Sequence, residues 1–142
     1  MRRFIVTLAA LALSACSQSE EAAAPEATPT SSAANPAPAQ ADKVPAAFLG
    51  VWDYVRGSCD PASDLRIEIK PDAIEFYEAH GNITKIIVES PETVVLDLAM
   101  DGEGEQWTMA RRFSLSNGGE TLTPTGMDDE GFEPMPLKRC ES

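Results

Sequence analysis

The chain has 142 residues, 23 of them acidic and 11 basic, for a net charge of −12 at neutral pH. That balance excludes nucleic acid and anionic membrane surfaces as electrostatic partners, and it admits a cationic one. Three cysteines without a Cys-x-x-Cys pair, and a single histidine, argue against redox catalysis and against a clustered zinc site.

Met1-Arg2-Arg3 is a short basic start, and Phe4 to Leu13 is an apolar run of ten residues. A helix needs about 20 apolar residues to cross a bilayer, so this run is too short to span and fits the apolar centre of an export signal. Leu13-Ser14-Ala15-Cys16 follows. It resembles the bacterial lipobox, in which small side chains let the signal peptidase close around the backbone. The resemblance implies cleavage after Ala15, a diacylglyceryl group on the thiol of Cys16 and a third acyl chain (palmitate) on its amine. Two chains already anchor a protein stably. An ordinary secretory signal cut nearby, leaving a free thiol, is the alternative. Ser17 in place of Asp implies sorting to the outer membrane, facing the periplasm.

Residues 16–44 then read as the lipid-bearing cysteine and a tether. Ala, Pro, Ser, Thr and Glu dominate, and Val44 is the only larger apolar residue after Cys16. Such a segment buries too little apolar surface to offset the entropy of ordering it. Residues 45–142 form one domain with 19 acidic and 8 basic residues, a net charge of −11. With Cys16 assigned to lipid, Cys59 and Cys140 remain as an even pair in an oxidising compartment, and a Cys59–Cys140 disulfide is expected.

Within the domain, apolar and polar residues alternate between turn signals, the mark of half-buried strands. Phe48 to Arg56 comes first. Leu65, Ile67 and Ile69 alternate with charged residues before a Pro71-Asp72 turn, and Ile74 and Phe76 follow. His80-Gly81-Asn82 reads as a second turn, and Ile83 to Val88 as a more fully apolar strand ended by Ser90-Pro91. Val94, Leu96, Leu98 and Met100 share one face. Asp101 to Gly104 is a hairpin turn, after which Trp107, Met109, Phe113 and Leu115 line one face of a long strand. Asn117-Gly118-Gly119 turns the chain, Leu122 belongs to a short strand, and Asp128 to Gly131 is an acidic loop. Phe132 to Cys140 is the last strand, its Pro134 and Pro136 suited to an edge or an interruption. No stretch keeps a helical period. About eight successive antiparallel strands favour an all-β, up-and-down barrel, because closure removes exposed edges; a β-sandwich is the alternative.

Phe48-Leu49-Gly50-Val51-Trp52 resembles the opening of lipocalin-like, or calycin-type, barrels, which carry Gly-x-Trp on the first strand after a short helical turn. The resemblance implies that Gly50 lets the backbone pass closely and that Trp52 plugs one end. It also implies that an arginine of the last strand, Arg139 rather than Arg56, packs over the indole. The domain is shorter than a true lipocalin. Its size is closer to the lysozyme-inhibitor lipoproteins and to the small periplasmic metalloprotease inhibitors. As a whole the chain is similar to small lipoproteins of Gram-negative bacteria, which bears on location and fold rather than on chemistry.

His80 reads as part of a surface turn. Asp101, Glu103 and Glu105, like Asp128 to Glu130, lack the spacing of an EF-hand loop and read as solvated turns. Arg111 is different, because strict alternation puts it on the apolar face with Trp107 and Phe113. A buried charge is costly unless paired, so Arg111 either meets an anionic group or escapes through a bulge near Ala110 or at the barrel mouth. Trp107 reads as core, with stacking on a ligand as the alternative. No nucleophile–base spacing, phosphate loop or nucleotide fingerprint is present, and no cofactor is expected. The sequence therefore suggests a non-enzymatic envelope lipoprotein that binds or supports other molecules. The alternatives are an inhibitor of lysozyme or a protease, and a carrier of a small apolar or anionic ligand.

Overall fold

The computed structural model describes residues 37–127 and 132–141. The expectations for the export signal, for Cys16 and for the acidic loop at Asp128 to Glu130 lie outside them. Nine strands make one sheet: β1 (Ala39–Ala41), β2 (Gly50–Tyr54), β3 (Ile67–Ile69), β4 (Ala73–Glu75), β5 (Ala79–Ser90), β6 (Thr93–Gly102), β7 (Glu105–Ser116), β8 (Thr121–Gly126) and β9 (Leu137–Arg139). From β2 to β9 every strand pairs antiparallel with the next, and β9 returns to β2 with Trp52 opposite Arg139. The result is a closed, eight-stranded, up-and-down barrel. β1 is an extra strand laid against β5 at Ile86 to Val88, beyond the stretch that short β4 occupies. The chain therefore joins the fold before residue 45, and Val44 is only 4% exposed.

The alternation read from the sequence sets the interior. Val94, Leu96, Leu98 and Met100 point inward on β6 and meet Phe113, Leu115 and Leu122. Trp52 and Phe48 are wholly buried and fill one end. Each large apolar side chain buried in this way contributes about 1.5–3 kcal/mol, so a barrel this small is stabilised mainly by its filling. Glu103 and Gly104 both have positive φ, 51° and 82°, as the two-residue turn of a tightly twisted hairpin requires. Asn117, Gly118 and Gly119 also adopt positive φ in a short 3-10 turn.

Three expectations are corrected. His80-Gly81-Asn82 is not a turn but the interior of β5; the chain reverses earlier, where the Phe76 N–H donates to the Ala79 carbonyl. Gly81 is there for closeness, since a Cβ would come 2.7 Å from the Met100 sulfur. The last strand is only three residues long, because Phe132 to Pro136, with two prolines, forms no ladder. Trp107 is not core but 42% exposed. β8 pairs with β7 only from Arg111 onward, so the β6–β7 hairpin outruns its neighbour and, among the described residues, β8 does not run beside the indole.

Candidate functional site

The meander gives the barrel two unlike ends. The connections β3–β4, β5–β6 and β7–β8 lie at one end, together with the segment that enters β2. Trp52 closes this end. Its indole N–H donates to the Phe48 carbonyl at 2.9 Å, which holds the 3-10 turn Ala46–Phe48 across the opening. Arg139 lies over the ring with its guanidinium carbon 4.0 Å from the centroid. The same guanidinium donates to the carbonyls of Leu49, Ala47 and Gly119 at 2.9, 2.7 and 3.1 Å. Gly50 has φ +117°, a conformation that side chains resist, and a Cβ there would face the guanidinium at 3.5 Å. Arg56 is exposed in the β2–β3 connection and takes no part.

Cys59 and Cys140 form a disulfide across a Cα separation of 5.9 Å, joining the β2–β3 connection to the end of β9. Asp53, which the sequence reading passed over, builds this junction. It is fully buried, and its carboxylate accepts bonds from the Tyr54 and Cys59 N–H groups at 2.8 and 2.9 Å and from the Ser63 hydroxyl at 2.8 Å. An acid in the middle of an otherwise apolar strand, six residues before a cysteine, was the available signal.

The other end collects the connections β2–β3, β4–β5, β6–β7 and β8–β9. A cleft of about 220 Å³ opens there, floored by Ile67, Phe113 and Leu137 and lipped by Leu65, Phe132 and Met135. Arg111 lines it. Pairing with β6 and β8 runs through Arg111 without irregularity, opposite buried Leu96, so no bulge turns the side chain outward. It reaches the mouth instead. Its guanidinium stacks on Phe132 with 3.9 Å to the centroid and approaches the Met109 sulfur at 3.3 Å. Burial pushes its pKa down. Arg112, the next residue, faces out and makes a two-pronged pair with Glu89, both bonds 2.8 Å.

A comparison of the chain with family models, curated proteins and solved structures found no match.

The structure does not join Trp107 to Arg111. Trp107 belongs to a shallow groove with His80, Asn82, Asp101 and Gln106, outside the Arg111 cleft. On that wall His80 Nδ1 lies 2.8 Å from Glu75, and Nε2 lies 3.1 Å from the Asn82 side-chain oxygen. Lys70 holds the second Glu75 oxygen at 3.1 Å. The Glu75 carboxylate raises the His80 pKa, and the imidazole lowers that of Glu75. Among the described residues no three His, Cys, Asp or Glu side chains gather as a metal site. No described helix is long and apolar enough to cross a membrane.

Proposed function

We propose that this chain is a lipid-anchored, non-enzymatic binding module of the bacterial cell envelope, carried on Cys16 and held off the membrane by its tether. The Leu13-Ser14-Ala15-Cys16 motif supports the anchor, and the oxidised Cys59–Cys140 pair fits an exported protein. The observation that carries the binding reading is the filled barrel. Fifteen buried apolar residues pack as one core; the cleft at the open end, about 220 Å³, falls below the roughly 300–1,000 Å³ of a small-molecule pocket, and the larger hollows, about 660 Å³ beside Trp107 and about 380 Å³ beside Ala47 and Gly119, are surface grooves outside it. Such a body works through its surface rather than as a hollow carrier. The test is a native mass spectrum of the protein purified from the envelope. The expected result is an oxidised chain, acylated at Cys16 and free of bound ligand, that Cys16→Ala releases from the membrane. A co-purifying apolar ligand would favour the carrier reading instead, and an unaltered membrane fraction for Cys16→Ala would remove the anchor.

A second reading is an inhibitor of lysozyme or of a periplasmic protease, which the net charge of −11 over residues 45–142 favours, because it steers a basic enzyme inward. Undiminished lysozyme activity with micromolar protein would set that reading aside.

A further inference from the structure

The exposed large apolar residues are Val55, Leu65, Tyr77, Trp107, Met127, Phe132 and Met135, between 37% and 64% accessible. All seven belong to the connections, or to the strand ends beside them, at the end opposite Trp52. Exposed apolar residues scattered singly need no explanation, but a collar of them around one opening marks an interaction surface. Aromatic residues and methionine, which make up much of this collar, are enriched where proteins meet.

Charge is arranged on the same end. Asp64 precedes Leu65 and Glu133 follows Phe132 at the lip, and Glu78 follows Tyr77 in the β4–β5 connection, so three of the exposed apolar residues have an acidic neighbour. Asp101, Glu103 and Glu105 are exposed in or beside the β6–β7 connection, and among the described residues of these connections the exposed base is Arg56. Arg66 is engaged with Glu68 at 3.5 Å. Apolar anchors within an acidic ring complement a basic surface that carries a protruding apolar side chain. The same ring repels anionic lipid headgroups and a second copy of this chain.

We infer that the open end docks a basic protein, which seats one apolar side chain in the cleft between Leu65, Phe132 and Met135 while the acidic ring engages its cations. This rests on the binding-module reading above and names its surface and the chemistry of its partner. Arg111 is a positioning residue. Its guanidinium, stacked on Phe132, holds that ring upright at the lip, and its charge at the cleft mouth selects an apolar or aromatic insert over a lysine.

The experiment uses the full chain in the producing cell, with p-benzoylphenylalanine placed singly for Phe132 at the open end, for Lys85 on the barrel wall and for Ser116 at the closed end. All three positions are exposed or partly exposed and lie outside the core. Photo-crosslinking from position 132 alone is expected, to an exported protein of high isoelectric point. With that protein purified, Leu65→Ser and Phe132→Ser are expected to weaken binding at least tenfold, and Arg111→Met severalfold. Raising salt from 50 to 300 mM should weaken it further. Crosslinks only from 85 or 116 would overturn the docking surface and leave the binding module standing. Crosslinks from none of the three would overturn both. An acidic protein, a lipid or a second copy of the chain captured at 132 would overturn the partner chemistry.

Discussion

Arg139 and Trp52 sit directly opposite each other across the seam where β9 closes on β2, and the guanidinium of the one caps the indole of the other. The residue that pairs at the barrel's seam therefore also caps its plugged end. Arg139→Ala is expected to cost about 2–4 kcal/mol, from a cation–π contact and charge-assisted bonds to three carbonyls. Arg139→Lys should recover less than half, because a point charge cannot reach all three acceptors. Urea unfolding of residues 17–142 measures both. A loss below 0.5 kcal/mol, as an order-of-magnitude threshold for an ordinary surface change, would show that the plug stands without its cap.

The disulfide spans 81 residues. In the chain-entropy account its removal by Cys59→Ser with Cys140→Ser costs about 4–5 kcal/mol. A fall of that size in unfolding free energy, and an intact mass two hydrogens below the dithiol, are the expected results.

Gly57→Ala is expected to be severe although Gly57 is not in the apolar core. A Cβ would overlap the Asp53 carboxyl group and push a buried charge off its three donors, at a cost of about 2–4 kcal/mol. Asp53→Asn, which keeps the shape but turns an acceptor into a donor, should lose a comparable amount. Thermal melts of the two variants and of Ser63→Ala, which removes one donor, should rank Ser63→Ala mildest.

His80 supplies a pH dependence. Its folded pKa is raised from 6.5 by Glu75 and Asn82, so the stability it adds is present below the unfolded value and is lost as pH rises through the folded one. Glu75, whose pKa is lowered from 4.5 by His80 and Lys70, contributes above its unfolded value and loses that contribution on acidification through the folded one. The pair is therefore at its strongest between the two. NMR titration of the imidazole should give a midpoint above 6.5, and Glu75→Gln should bring it down. An unmoved midpoint would disconnect the two groups.

The two tryptophans should differ in solution as they do in the fold. Trp52 is fully buried and Trp107 is 42% exposed. Iodide is expected to quench about half of the indole emission in the wild-type chain and almost none in Trp107→Phe. Equal quenching in both would place Trp107 under cover.

The inner face of β6 and the Gly-x-Trp opening were legible because they depend on local alternation and on one fixed backbone conformation at Gly50. The His80 to Asn82 turn was misread because glycine serves two purposes, and only the position of Met100 across the sheet shows which one applies. Trp107 kept the inward register but lost its cover, since how far β8 accompanies β7 is not written in β7. Asp53 was missed because its donors come from a connection of no regular pattern. At the open end, Arg111 was visible as an anomaly of alternation. The collar around it was not, because Leu65, Tyr77 and Phe132 come together only through the topology.

The link between Cys59 and Cys140 also governs how the molecule survives damage. β9 is a closing stave of only three residues, and if it peeled away Arg139 would leave the plug. Because Cys140 is tied back to the β2–β3 connection, a single protease cut in any exposed loop between the two cysteines leaves one covalent molecule, with its last strand still leashed within reach of its place. A nick then becomes an injury the fold can close over rather than the loss of a piece.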